Sequence, residues 1–501
     1  MRLWKTKMSV VARQGFKYSI IGYLGFILGA LSTYFIFPFN FEFYGTLSYI
    51  LSTAEMLVPV VVFGISYSNV KFFHQSQKVG RHQNLLSLSL VGIFLNFLIF
   101  LALFFGLHYL FPDLREKEWW TFRGIILPLI LVIAFSHLLN RYISNYRRIV
   151  IPNIFENIFP KLANLGAFSL FVFLGASLTV SFGFFLSIFV LSLFGYLIYV
   201  QKLEAVKRDF RTDYLKKDQL WKEIVSYSFF GFLGNIGNFI AIKIDKIMIG
   251  DALGMEELGV YSTLFAMISL ISIPQLGLFN ISAPIINKAF AENEMEELDR
   301  FHKKTSLSLY FLGTVLFSCL LVGFPYLAQF IRNGNMLQES EPVVWILGSA
   351  ILFDLATGFN GNIISMSIFY RFNIVIMLFL AFLTVVLNYY FLEYTNLGIA
   401  GVALATAISL TLYNVVKFAF NYIKFKVHPL TIEMIFISII STLAITLAIV
   451  LPEFKNNLLN LIYKPIVVLA LIFVGNHFMK IFPVEQYLNR GFFGSLFKLK
   501  K

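Results

Sequence analysis

The sequence predicts an all-α polytopic membrane protein of about fourteen transmembrane helices: two six-helix bundles related by a pseudo-two-fold along the membrane normal, plus two C-terminal helices. Three observations predict it. Fourteen apolar stretches fill the chain, Lys and Arg collect on alternate sides of them, and one short motif opens both the first and the seventh stretch. Of the 501 residues, 58% are hydrophobic and only 13% charged, where a soluble domain carries about 25% charged residues. That leaves too little polar material to coat a soluble body, so lipid is the expected solvent.

A span needs roughly 20 apolar residues. The stretches that qualify are 16–37, 43–68, 84–111, 124–143, 151–175, 178–201, 224–250, 259–286, 305–328, 342–366, 374–393, 397–420, 430–451 and 458–481. The basic start, Met1 to Lys17, runs into an apolar stretch longer than a signal-peptide core and without a clear small-residue cleavage site, so it reads as a retained first span. Several stretches contain Pro or Gly, which membrane helices tolerate when neighbours restore the lost hydrogen bonds.

With the N-terminus inside, the cytoplasmic segments hold 30 of the 40 Lys and Arg, and the outer loops hold five: Arg115, Lys117, Arg123, Arg332 and Lys455. The positive-inside rule then places both termini in the cytoplasm. The net charge of +13 lies in short loops and reads as topology, not as a nucleic-acid surface. Five lysines lie within or at the ends of spans: Lys161, Lys243, Lys246, Lys417 and Lys464. The longest outer loops, near 112–123 and 329–341, are too short for a soluble domain. Any chemistry belongs in the membrane body or at its cytoplasmic face.

The most basic cytoplasmic segment, 202–223, separates a first bundle (1–201) from a second (224–429). Spans 13 and 14 (430–481) and a basic tail (482–501) lie outside the repeat. The first span contains Tyr18-Ser19-Ile20-Ile21-Gly22-Tyr23-Leu24-Gly25, and the seventh Tyr227-Ser228-Phe229-Phe230-Gly231-Phe232-Leu233-Gly234. The following span starts near a glycine in each block (Gly45, Gly259) and carries a proline midway (Pro59, Pro274). Even span numbers insert both copies the same way up, as in parallel repeats enclosing a cavity.

At about 100° per residue, polar positions gather on one side of several spans. Span 7 aligns Tyr227, Gly231, Gly234, Asn235, Asn238 and Asp245; span 2 aligns Ser48, Ser52, Glu55 and Pro59; span 10 aligns Asp354, Gly358, Gly361, Asn362 and Ser365. Span 5 aligns Asn153, Glu156, Asn157, Lys161 and Asn164. The span 1 stripe of Gly22, Gly25, Gly29, Ser32 and Thr33 reads as packing. An acid or base at mid-bilayer costs about 2.5–3.5 kcal/mol on insertion scales, so it faces a cavity or a partner. At a rise of about 1.5 Å per residue, Glu55, Asp354 and Lys161 fall near the midplane.

Glu156 is an alternative, structural partner for Lys161. Lys243 and Lys246 sit near the outer end of span 7, where snorkelling to headgroups competes with facing the cavity. Asp245 lies on the stripe and is the better cavity candidate. Arg141, four residues after His137, reads as an inner-interface anchor that also suits a phosphate at the cytoplasmic mouth, as do Arg13 and Lys17. Lys71–Gln83 and Asn287–Thr305 follow the second span of each block and read as surface-lying amphipathic helices.

Among enzyme motifs, Walker A, H-E-x-x-H, C-x-x-C and G-x-S-x-G are all missing. The single cysteine, Cys319, excludes an intrachain disulfide and a cysteine metal site. A carrier without cofactor or metal is expected, not an enzyme.

The two-block plan, the Tyr-Ser-x-x-Gly opening of the second block, and Lys243-Ile-Asp-Lys-Ile-Met-Ile-Gly-Asp followed by Leu258-Gly-Val-Tyr-Ser resemble the MOP flippase superfamily. Its polysaccharide-transporter branch, the O-antigen and capsule-unit flippases, is the nearest in pattern. Asp245, Lys246, Gly250, Gly259 and Tyr261 are the matching positions. The resemblance implies a substrate: an oligosaccharide on a polyprenyl diphosphate, turned from the inner to the outer leaflet of the bacterial inner membrane for surface polysaccharide synthesis. It also implies alternating access and no nucleic acid. Further partners would be the bilayer, a proton or sodium ion, and the polysaccharide assembly machinery.

On that reading Arg13, Lys17, Arg141 and Lys161 are placed for the diphosphate. Asn153, Asn157, Asn164, Asn235 and Asn238 suit sugar hydroxyls, and Glu55, Asp245 and Asp354 are candidates for ion coupling. A peptidoglycan-precursor flippase and a drug or cation antiporter of the same fold remain alternatives. A membrane polymerase or ligase would need an ample outer loop.

Overall fold

The computed structural model describes residues 10–146, 148, 150–205, 209–216 and 219–483, with side chains left aside at 10–20, 23, 216 and 276–281. Arg13, Lys17 and the tail from 484 on therefore lie outside the described side chains. The longer helices, in chain order, are α1 (Val10–Phe35), α2 (Phe41–Val62), α3 (Ile65–Lys78), α4 (His82–Leu110), α5 (Arg123–Ser144), α6 (Val150–Asn157), α7 (Phe159–Val172), α8 (Leu178–Leu203) and α9 (Leu220–Ala252). They continue with α10 (Met255–Ser269), α11 (Ile273–Glu292), α12 (Met295–Phe330), α13 (Glu341–Thr357), α14 (Asn360–Met366), α15 (Tyr370–Tyr394), α16 (Gly398–Phe425), α17 (Ile432–Val450) and α18 (Asn457–Met479). Among the described residues there is no strand.

By length and apolarity, 11 helices qualify as spans, or 12 if α13 and α14 count as one bent span. The expected fourteen are therefore not all continuous. The stretch 151–175 is broken into α6 and α7 where Pro160 enters the first turn of α7. Proline has no N–H to donate and fixes its own φ, so a new helix starts there more readily than an old one continues. The α13–α14 bend of 47° falls at Gly358, with φ 59° and ψ −134°. Only glycine takes that conformation without strain.

Contacts divide the chain into two compact units. The first comprises residues 1–263 and 374–405, and the second 264–373 and 406–501. In the first, α2 packs against α9, α5 and α4, and α8 against α7 and α5. In the second, α12 packs against α13, α17 and α18. Its largest described cluster seats Phe311 and Val322 of α12 against Ile437, Ala444, Val468 and Ile472 of α17 and α18.

Two glycines let α2 and α10 touch by backbone. A Cβ on Gly45 would lie 1.7 Å from the carbonyl oxygen of Met255, and one on Gly259 would lie 2.0 Å from that of Phe41. The same sequence spacing separates Gly45 from Gly259 and Phe41 from Met255. The contact is reciprocal, as a two-fold axis between equivalent helices requires.

One expectation changes at a helix end. Asn287–Thr305 is not a separate surface helix: α11 stops at Glu292, Asn293 turns with φ 57°, and α12 runs unbroken from Met295 into its span. The described part of the 202–223 segment is anchored on neighbouring helices. Asn84 donates to the carbonyls of Asp209 and Arg211 at 2.8 Å, and Arg81 pairs with Asp209 at 2.5 Å. Glu204 accepts from Tyr146 (2.5 Å) and meets His82 (2.8 Å). Leu220, Tyr214 and Leu215 then pack on Phe72 and Leu85.

Candidate functional site

The polar face of α2 meets that of α9 within the first unit. Glu55 and Lys243 form an ion pair of 2.5 Å, each side chain about a quarter exposed (25% and 24%). Lys243 therefore does not snorkel outward, because the nearby carboxylate supplies a counter-charge inside the protein. Beside Glu55 opens a cavity of about 150 Å³. Its polar groups are Glu55, Ser136, His137, Asn140, Glu156, Ser192 and Tyr196, and phenylalanines of α6, α8 and α9 with Val58, Ile133 and Pro160 make most of the wall. A water occupies roughly 10–15 Å³ by this measure, so the space admits on the order of ten waters or one ring-sized group.

Within the cavity Asn140 donates to Glu156 at 2.9 Å. Glu156 is thus turned toward α5 and forms no ion pair with Lys161. Lys161 instead lies over the glycine face of α1: a Cβ on Gly29 would come within 3.1 Å of its Cε, and one on Gly25 within 3.3 Å of its Nζ. The small-residue stripe of span 1 is what makes room for it. Asn157 donates to Asn153, which is 1% exposed, and Asn164 donates to the carbonyl of Pro160 at 3.0 Å. Those three amides are engaged within their own helices.

A second group of polar contacts adjoins it through His137. Tyr67 donates to Asn235 at 2.8 Å, and the Arg141 guanidinium stands 5.0 Å from the Tyr67 ring centroid. Arg141 is exposed, whereas Asn238 is half-buried. His137 Nδ1 is 3.2 Å from Ser66 Oγ.

Asp245 is buried at 4% exposure, not open to the cavity. Its carboxylate accepts from Tyr261 at 3.0 Å and from Asn388 at 2.7 Å. Tyr261 belongs to the same sequence pattern as Asp245, whereas nothing local in the sequence ties Asn388 to it.

In the second unit Asp354 accepts from Asn414 at 2.8 Å. Next to it Lys417 is 6% exposed, with its Nζ 3.9 Å from the Tyr413 ring centroid. Lys464 is 2% exposed in the same unit, donating to Tyr326 at 2.7 Å and pairing with Glu453 at 3.3 Å. Among the described residues no group of three or more His, Cys, Asp or Glu is arranged to hold a metal ion.

The model of the polysaccharide biosynthesis protein family matches residues 11–290, more than half of the chain. The chain belongs to the polysaccharide biosynthesis protein family. The match carries the polysaccharide-transporter resemblance of the sequence and covers α2, α9 and the Glu55–Lys243 pair. The fold is that of solved MOP-superfamily proteins. "Lipid II flippase MurJ, inward closed conformation" is similar over 92% of this chain and 98% of its own, with TM-score 0.71 at 15% identity. An inward-facing multidrug resistance MATE family transporter of the MOP superfamily is similar over 84% of this chain and 96% of its own, with TM-score 0.57 at 16% identity. A MATE structure in the bent conformation covers 84% and 98%, with TM-score 0.52 at 13% identity. No curated protein matches the sequence. This member of the family is a multi-pass membrane protein whose described charges include several inside the spans.

Proposed function

We propose that this chain is a flippase that moves a polyprenyl-diphosphate-linked oligosaccharide across the bacterial inner membrane by alternating access, with both termini cytoplasmic. The observation that carries the reading is the Glu55–Lys243 pair beside a largely apolar cavity that carries a few polar groups, inside the part of the chain that matches the polysaccharide biosynthesis family. A lysine in a low-dielectric site is a strong partner for a phosphate. Here it is held by an internal carboxylate that an incoming diphosphate competes with. Release of Glu55 then frees a mid-membrane acid to take a proton or a sodium ion and reset the cycle. Asp245, ringed by Tyr261 and Asn388, is the second ion-coupling candidate, and Asp354 the third.

Sugars need hydroxyl, amide and aromatic partners, which Ser136, Asn140, Tyr196 and Phe155 supply. The duplicated plan, 1–201 and 224–429 with spans 13 and 14 appended, is part of the same reading, and the reciprocal Gly45–Gly259 contact supports it. A drug or cation antiporter needs an acid free to bind cations, and Lys243 occupies Glu55. A peptidoglycan-precursor flippase uses the same diphosphate chemistry. The likeness to a lipid II flippase favours it as the second reading, whereas the family match favours oligosaccharide units.

Reconstitution in liposomes with a fluorescent polyprenyl-diphosphate oligosaccharide tests the proposal. Protein-dependent flipping that is lost in Lys243→Ala supports it. Flipping of lipid II but not of oligosaccharide units favours the second reading. Drug efflux without lipid flipping removes both.

A further inference from the structure

We propose that Lys417, together with Asn373, forms an anion site in the second unit that takes the diphosphate of the lipid-linked substrate as it enters from the cytoplasmic leaflet. The inference rests on the carrier reading above and names the residues that receive the head group.

Lys417 is 94% buried, and among the described residues no carboxylate oxygen lies within 4.0 Å of it. Its Nζ rests over the Tyr413 ring at 3.9 Å. A cation–π contact offsets part of the desolvation of an ammonium but leaves its three donors without acceptors. Asp354 acts on Lys417 from beyond ion-pair distance and accepts from Asn414 instead. Buried cations are normally paired in contact, so an ammonium without a contacting carboxylate marks a place where an anion can arrive.

A second group points into the same space. A Cβ built on Gly361 would stand 3.9 Å from Lys417 Nζ and 3.9 Å from Asn373 Oδ1. Asn373 Oδ1 is buried without a hydrogen-bond partner, while Nδ2 donates to Ser365 at 2.9 Å. The amide's oxygen and nitrogen are interchangeable by a flip. Flipped, it offers a second donor beside Lys417. Gly361 has no side chain to fill the gap between them.

Depth agrees with a head group. Lys417 lies eight residues before the end of α16, and Asn373 lies in the first turn of α15. At about 1.5 Å per residue, Lys417 sits about 12 Å from the end of its helix. The positive-inside pattern assigns both of these helix ends to the cytoplasm. That is the depth at which an inner-leaflet diphosphate meets the protein, well short of mid-membrane.

The test uses the full chain in phosphatidylcholine nanodiscs. Binding of a sugar-free polyprenyl diphosphate is measured by microscale thermophoresis, with phosphatidylglycerol as a parallel arm. Lys417→Ala should weaken the diphosphate lipid about tenfold or more, the loss of one hydrogen bond to a charged group. Lys417→Arg should retain most of the affinity. Asn373→Asp keeps the size and places a carboxylate beside Lys417. It should abolish diphosphate binding while raising the melting temperature or leaving it unchanged, so it decides the matter if Lys417→Ala does not fold.

Equal diphosphate binding in wild type and in a folded Lys417→Ala overturns the site and leaves the carrier reading standing. Equal losses for phosphatidylglycerol make it a general lipid site and overturn the assignment to substrate. Absence of diphosphate binding by the wild type removes the carrier reading and the site together.

Discussion

The Glu55–Lys243 pair permits the sharpest prediction. At 2.5 Å the two charges attract by about 6–7 kcal/mol at an effective dielectric of 20. Desolvation offsets most of that. Removing one partner of a fully buried pair costs about 3–5 kcal/mol, while exposed pairs give about 0–1 kcal/mol. With a quarter of each side chain exposed, Lys243→Met and Glu55→Gln should each destabilise by about 1–3 kcal/mol, between those limits. The double variant should recover most of this, because no uncompensated charge remains. A double-mutant cycle on thermal unfolding in detergent, checked by denaturant unfolding, reads the coupling as the departure from additivity. A coupling of about 1 kcal/mol or more is expected. Additive single effects would refute the claim that the pair stabilises the interior. The same variants separate stability from transport: Glu55→Gln/Lys243→Met should fold yet not flip the lipid-linked oligosaccharide.

Three further outcomes are expected. Asn388→Leu strips a donor from the buried Asp245 carboxylate and should cost about 1.5–3 kcal/mol, the range for a hydrogen bond to a charged group, seen as a lower melting temperature. Gly45→Ala and Gly259→Ala should each lose at least about 1–3 kcal/mol by overpacking against backbone that cannot yield; unchanged yield and melting temperature would contradict the close approach. At the cytoplasmic face, burial raises the Glu204 carboxyl, but hydrogen bonds from Tyr146 and His82 and the His82 charge outweigh it, so the net pKa falls below the ordinary value. A depressed carboxyl contributes stability above its unfolded pKa of about 4.3 and loses it as pH drops through the folded value. Hydrogen exchange at Ala205 and Arg211 should therefore quicken below about pH 4, and a Glu204→Gln variant with the same pH midpoint as wild type would sink this account.

Most spans were legible in the sequence because lipid imposes one rule on every residue: apolar side chains for roughly 20 positions, cations kept to one side. The inward face of span 2 was legible for the same reason, since Glu55 has nowhere inexpensive to go. What escaped were the partners. Lys243 looked like an interfacial anchor because its depth along α9 was the available clue, and its distance from Glu55 depends on α2 packing against α9. Asn388 meets Asp245 across a long chain separation. Lys417 sits near a helix end, where a lysine ordinarily snorkels, and its burial follows from Tyr413 and the neighbouring helices. The segment Asn287–Thr305 has an amphipathic pattern whether it lies flat or caps a longer helix, so periodicity did not distinguish the two. Pro160 did announce the α6–α7 break, yet the hydropathy of 151–175 ran straight through it.

The paired glycines carry an evolutionary consequence. Each touches a main-chain carbonyl of the other's helix, so the side chains of Phe41 and Met255 are free to differ while a Cβ at Gly45 or Gly259 has no room. Drift at either glycine is blocked by main chain, so no compensating side-chain change at the position it touches can absorb it.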